Sequence, residues 1–319
     1  MNYPNHSGQI RRLDPRRDLS PVADLVEDAF GLKNDPEGSL VVSQMRNLAS
    51  YLATYPFASN FLNAPQGFVW EQGGVIAGNI SLIPFQRRLK RIFLIANVAV
   101  APEYRGRGIA KALTEHAMRF IRQWGRSEIW LEVRSDNLPA IHMYQNLNFH
   151  FFTAITQWEK TEKLDPGPAL PSLDSAQFLM RRRNLEDWPL QKSWLEWAYP
   201  YATRWYQNAD LESFAPWAWL NPFRWGQLNQ LQHFSLKEGH QLRGLLTHQI
   251  SEGKTDNLWL ALPNDPDMGL LARELMRLFL QGFWEGKRLF AEFPKDLAAA
   301  AFIHNGFRKM RDLDWMRYF

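Results

Sequence analysis

Val98-Ala99-Val100-Ala101-Pro102-Glu103-Tyr104-Arg105-Gly106-Arg107-Gly108-Ile109-Ala110 is an apolar strand pattern that runs through a glycine turn straight into a helix. Physically such a turn is an anion site. The first N–H groups of a helix lack intrahelical partners and carry partial positive charge, and Gly106 and Gly108 let the backbone approach a phosphate closely. Arg105 and Arg107 add charge. No Gly-Lys-Ser/Thr follows, so this is not a Walker loop, and the first glycine of the dinucleotide fingerprint is missing.

Working outward, residues 108–124 place Ile109, Leu113, Ala117, Phe120, Ile121 and Trp124 on one helical stripe, closed by Gly125. Residues 129–134 then alternate as a strand. Pro139 opens a short helix ending at Asn148, and residues 149–159 return as a strand. Upstream, residues 9–13 read as a strand. Ser20-Pro21 reads as a helix start, with Gly31 as its stop. A second helix is expected over residues 39–54. Strands follow at 67–71, 75–83 and 91–100, the first two joined by a Gln72-Gly73-Gly74 turn.

Composition excludes several classes. The chain has 319 residues, enough for two domains, and no cysteine, which rules out disulfides, thiolate zinc sites and a cysteine nucleophile. Its eight histidines are scattered without paired metal-ligand spacing, so no metal is expected. No apolar run approaches the roughly 18–20 residues of a membrane span, and residues 1–20 are too polar for a secretory leader. The reading is a cytoplasmic protein with no membrane partner. The net charge of +4 is too small to argue for nucleic acid. All of the surplus lies in residues 1–160, with 18 Lys+Arg against 14 Asp+Glu, while residues 161–319 balance at 19 each. A local basic spot suits one anionic ligand.

Residues 161–172 are Pro-rich and aperiodic, and read as a linker between domains at 1–160 and 173–319. The second half repeats the plan of the first. Pro21 pairs with Pro189, Gly78 with Gly244, Pro102 with Pro263 and Phe149 with Phe307, at offsets shrinking from 168 to 158. Internal duplication with small loop deletions explains this.

Arg105, Gly108 and Ala110 fit the Arg/Gln-x-x-Gly-x-Gly/Ala signature, and with residues 97–104 and 131–149 they make the first half resemble the GCN5-related N-acetyltransferases, the GNAT family. The resemblance implies an α/β fold of the α+β type, as two tandem GNAT-like domains, each a mixed, mostly antiparallel twisted sheet flanked by helices. It also implies acetyl-coenzyme A bound through its diphosphate to the amides of Gly106, Arg107, Gly108, Ile109, Ala110 and Lys111. The pantetheine would lie along Val98, Ala99 and Val100, one of whose N–H groups faces the thioester oxygen. An amine must lose its proton to attack a thioester, and the leaving thiolate must gain one. Tyr144 occupies the family's position for the acid; its other reading is an aromatic on a helix face. Glu132, in Leu131-Glu132-Val133-Arg134, is similar to the base of the ribosomal-protein alanine N-acetyltransferases, or else a strand glutamate paired with an arginine. Asn137 stands where that subfamily meets coenzyme A, or else caps the helix at Pro139. Asn148 replaces the family's usual glycine, which the left-handed preference of asparagine allows.

In the second half the matching turn carries Asp265, Pro266 and Asp267, and Phe302 takes the tyrosine position. Proline lacks an N–H and the carboxylates repel phosphate, so this copy is expected to be degenerate and non-catalytic. Seven of the fourteen tryptophans, Trp188, Trp194, Trp197, Trp205, Trp217, Trp219 and Trp225, cluster within thirty-eight of its residues, read either as a packed core or as an acceptor groove. The function expected is acetyl transfer to a primary amine, of a small molecule or a protein N-terminus, by a monomer or homodimer. The alternative is a non-catalytic acyl-coenzyme A sensor or partner-binding module.

Overall fold

The computed structural model describes residues 8–34, 36–54, 66–87, 90–125, 127–161, 178–200, 202–203, 205–206, 211–220 and 230–319. In chain order the elements are β1 (Gln9–Arg12), α1 (Pro15–Phe30), α2 (Pro36–Thr54), β2 (Gln66–Gln72), β3 (Val75–Arg87), β4 (Lys90–Val100), α3 (Ile109–Arg122), β5 (Ser127–Arg134), α4 (Leu138–Gln145) and β6 (Phe149–Lys160). The second series is β7 (Phe178–Arg182), α5 (Trp188–Ala198), β8 (Leu231–Glu238), β9 (Gln241–Gln249), β10 (Thr255–Ala261), α6 (Met268–Gly282), β11 (Arg288–Pro294), α7 (Ala299–His304) and β12 (Arg308–Tyr318). Among the described residues no helix is long and apolar enough to cross a membrane.

The chain divides into two compact units, but not at the linker. Unit 1 is Met1–Val133, Asn137–Phe152 and Trp315–Phe319; unit 2 is Arg134–Asp136 and Thr153–Asp314. The expected linker falls almost wholly outside the described residues. The clean division at 1–160 and 173–319 gives way because the closing strands change places. Beyond Phe152, β6 pairs with β11 in unit 2, while the end of β12 lies beside β5 in unit 1. Burial accounts for this: Trp158 packs in the core of unit 2, and Met316 in a core of unit 1.

In unit 1 the strand order is β1-β2-β3-β4-β5-β12, with β4 and β5 parallel and β1 to β4 antiparallel. Strand alternation sends Phe68, Ile80 and Leu82 to one core, against Ile109, Leu113 and Ala117 of α3, and sends Val69 and Ala99 to another, against Leu19, Val22 and Val26 of α1. Gly78 lets α3 sit close to β3, since a Cβ there would lie 2.9 Å from Ile109 Cγ2. Helix α1 starts six residues before the expected Ser20-Pro21, because Asp14 caps the Arg16 amide and Pro15 takes the first helical position. Pro21 lies inside the helix, which is held there by fully buried Val22 and Ala23. Gly31 does end it, at φ 64°.

Unit 2 repeats the plan as β7-β8-β9-β10-β11-β6, with β10 and β11 parallel. Both units carry the same hairpin irregularity. Trp70 pairs with Gly78, and the register then slips; Leu236 pairs with Gly244, and the register slips at the same step. Its core joins Leu195 of α5, Leu271, Leu275 and Phe279 of α6, and Phe302 of α7. Of the tryptophan cluster, Trp188 and Trp194 belong to this core, whereas Trp197 and Trp217 are exposed. Trp225 lies outside the described residues.

Candidate active site

The site of unit 1 begins where β4 and β5 part. Their parallel ladder runs from Arg91↔Ser127 to Ile95↔Leu131 and stops. One residue later on β4 is an irregularity that the sequence reading missed. Asn79 pairs with Ala99 and Ser81 with Ala96, so β4 spends one residue more than β3 between them, and Asn97 takes a left-handed φ of 52°. Such a bulge bends its strand and re-aims the residues that follow. The sequence held a signal for it, since asparagine tolerates that conformation better than other residues bearing a Cβ.

Beyond the bulge, Val98 and Val100 are partly buried against the core that contains Tyr144, and Ala99 is buried on the other face. Ala101 N–H donates to Ala77 O at 2.9 Å, back toward β3. Strand alternation therefore turns the N–H groups of Val98 and Val100 the other way, toward β5. Glu132, half-buried on β5, follows the last paired residue, Leu131.

The chain then enters the glycine turn. Gly106 and Gly108 have φ of 76° and 75°, and a Cβ on either would meet nothing within 4 Å, so the space above both is open. Gly108 is the N-cap of α3 and has no side chain to satisfy the first helical amides. Arg105 Nε donates to Val100 O at 3.1 Å and Arg107 Nη2 to Glu103 O at 2.9 Å, which stiffens the turn and holds both cations beside it. Ile109 is buried and anchors the helix start; Ala110 is half-buried and Lys111 exposed.

On α4, Tyr144 is buried, with its ring 5.8 Å from Phe149. Burial pushes its phenol above the ordinary tyrosine value, so it stays protonated at neutral pH. Asn137 caps α4 by accepting from the Ala140 amide at 3.3 Å. Arg134 forks onto Asp136 at 3.0 and 2.7 Å. Asn148 adopts φ 64°, matching Gly306 at 73° in unit 2. Unit 1 thus contains the turn, residues 98–100, Glu132, Asn137 and Tyr144 together.

Unit 2 differs at the bulge, at the turn and at the tyrosine position. Strand β10 pairs with β9 without interruption from Asn257↔Gln249 to Ala261↔Leu245, so the bulge is gone. One of the expected loop deletions is therefore a residue lost inside a strand. The β10/β11 ladder ends at Leu258↔Ala291, and just past it the Tyr199 hydroxyl accepts from Leu260 N at 3.2 Å and donates to Glu292 O at 3.2 Å. At the turn, Asp265 accepts from the Asp267 amide at 3.0 Å, so a carboxylate already occupies that amide, and Asp267 pairs with Arg243 at 2.9 Å. Phe302 is fully buried and stacks on Trp158 at 4.8 Å.

Unit 1 thus sets a split strand pair beside a glycine-capped helix on a mixed α/β sheet. Residues 33–149 match the model of the acetyltransferase (GNAT) family. Over 57 residues the chain is 46% identical to streptothricin acetyltransferase of Streptomyces lavendulae, covering 18% of this chain and 30% of that protein. Over 54 residues it is 41% identical to the ribosomal protein bS18 alanine N-acetyltransferase of Escherichia coli strain K12, covering 17% and 36%. The chain thus spans about a third of the length of these relatives. Along 99% of its own length it superposes on 96% of a GCN5-related N-acetyltransferase from Sphaerobacter thermophilus, at TM-score 0.57 and 13% identity. A tandem GNAT protein from the clavulanic acid biosynthesis pathway matches over 98% of both chains, at TM-score 0.50 and 16% identity. These last two likenesses establish the fold of both halves, two GNAT-like domains in tandem.

Proposed function

We propose that unit 1 moves an acetyl group from acetyl-coenzyme A to a primary amine by direct attack, and that unit 2 is a non-catalytic copy. The observation that carries this reading is the joining of two features by a few residues. The outward-facing amides of β4 stop at Val100, and the open, uncapped start of α3 follows at Gly108. An extended thioester arm fits along the first and its diphosphate fits on the second. Gly106 to Lys111 would hold the diphosphate, and Asn137 has an amide Nδ2 left to donate while its Oδ1 caps α4.

In the proposed reaction the amine nitrogen bonds to the thioester carbon and the C–S bond breaks. Glu132 takes the amine proton directly or through water. Tyr144 supplies a proton to the leaving thiolate, and an N–H of Val98 or Val100 steadies the oxygen as it gains charge. The acceptor class rests on the relatives, one named for streptothricin and one for a ribosomal-protein alanine. The test is thiol release from acetyl-coenzyme A with a panel of small amines and Ala-initiated peptides. Release with at least one class supports the reading. Tight binding without release for any amine favours the sensor.

A further inference from the structure

We propose that Asn79 is a positioning residue of this site: its side-chain amide clips the β4 bulge and so fixes the direction in which residues 98–100 leave it. This inference rests on the acetyl-transfer reading of unit 1. Asn79 lies on β3 directly opposite Ala99 and is fully buried. Its Nδ2 donates to Asn97 O at 2.9 Å and reaches Ser81 Oγ at 3.4 Å; Asn97 Nδ2 reaches the same Oγ at 3.4 Å. The side chains of Asn79 and Ser81 therefore close around Asn97, the residue of β4 that adopts φ 52°.

A left-handed residue bearing a Cβ inside a strand is intrinsically unfavourable and persists only when its surroundings hold it. A buried amide is likewise unfavourable in an apolar core unless it bonds. Each explains the other here. The carbonyl of the bulged residue accepts from the Asn79 side-chain amide.

The molecule contains its own control. Counting from the equivalent glycines Gly78 and Gly244, the residue matching Asn79 is Leu245, and the one matching Ser81 is Thr247. Leu245 is fully buried and has no donor to offer, and the strand opposite runs straight to Ala261 without the extra residue. Thr247 is taken up instead by Gln191 at 3.1 Å and His233 at 2.8 Å. Amide and bulge are present together in one unit and absent together in the other. The same comparison separates the sites: without the bulge, one phenol oxygen of Tyr199 reaches both strands of unit 2.

The experiment compares Asn79→Leu, which copies unit 2, and Asn79→Ser, which keeps a polar side chain but is too short to reach Asn97. Calorimetry of the full chain measures acetyl-coenzyme A and, separately, 3′-phospho-ADP, which carries the diphosphate without the thioester arm. Both variants are expected to bind acetyl-coenzyme A about tenfold more weakly, the scale of one lost buried hydrogen bond. Affinity for 3′-phospho-ADP should be unchanged. Adding Asn97→Gly, which adopts φ 52° without strain, is expected to restore part of the loss. Wild-type affinity for acetyl-coenzyme A in both variants overturns the proposal, as does an equal loss for both ligands, which marks a general packing defect. If the unaltered chain binds neither ligand, the acetyl-transfer reading itself fails and takes this inference with it.

Discussion

The Tyr199 hydroxyl accepts the Leu260 amide proton at 3.2 Å and donates to Glu292 O at 3.2 Å, and in doing so bridges the parted strands β10 and β11 of unit 2. Tyr199 is almost wholly buried, and its ring lies 5.0 Å from Trp259. Tyr199→Phe leaves the Leu260 N–H and the Glu292 carbonyl without this partner. Unfolding in urea is expected to show a loss of about 1–3 kcal/mol. The number of acetyl-coenzyme A molecules bound per chain should not rise above one, because Asp265 still occupies the turn; two per chain would contradict a closed second copy.

Tyr144 is protected from solvent, and burial holds its proton firmly. If it protonates the leaving thiolate, Tyr144→Phe should lower kcat about 10²-fold or more, with KM for acetyl-coenzyme A nearly unchanged. Its ring packing against Phe149 survives the change, so the melting temperature should move little. An unaltered kcat would reduce Tyr144 to a core aromatic.

Gly108→Ala separates the turn from the strand. The new methyl has room, yet φ 75° costs a residue with a Cβ roughly 1–2 kcal/mol. It would also stand over the first amides of α3. Expected together are a stability loss of about that size and weaker binding of both acetyl-coenzyme A and 3′-phospho-ADP, unlike the selective loss predicted at Asn79.

Unit 2 contains a histidine that resists protonation. Burial first, then the nearby charges of Arg183 and Arg182, push His233 down to about 3. The unfolded chain takes up that proton near pH 6.5 and the folded chain does not, so the contribution is complete above pH 6.5 and declines as the pH falls toward 3. By pH 4.5 the loss should be about 2–3 kcal/mol. Urea titrations at pH 7.5 and 4.5 on wild type and His233→Asn check this: the variant should lose distinctly less on acidification.

The order of elements was legible because each rests on local chemistry. The stripe of Ile109, Leu113 and Ala117, the Gly73-Gly74 turn and the left-handed Asn148 all stand where periodicity and turn preference put them. Asn137 proved to be the cap of α4, one of the two readings its position offered. The start of α1 was misread because Pro21 suits a first helical turn as well as Pro15 does, and only burial of Val22 and Ala23 decides between them. The β4 bulge escaped notice because it depends on Asn79, eighteen residues from Asn97 in sequence. The exchange of closing strands left no local trace, since it is decided by pairing with strands distant in sequence, β6 with β11 and β12 beside β5.

That exchange predicts the behaviour of fragments. A piece ending at residue 160 retains every residue proposed to bind or react, yet lacks buried Trp315 and Met316. It should show weak, non-cooperative unfolding and negligible acetyl-coenzyme A binding, and a peptide covering residues 307–319 added in trans should restore both in part. A fragment that binds as tightly as the whole chain would show the last strand to be dispensable.

On the ribosome, the segment holding the glycine turn emerges some two hundred residues ahead of the strand that completes its sheet. Maturation of the first unit is therefore tied to synthesis of the second. A nonsense or frameshift lesion anywhere downstream should silence a centre it never touches, which gives selection a reason to keep the second copy whatever its own chemistry.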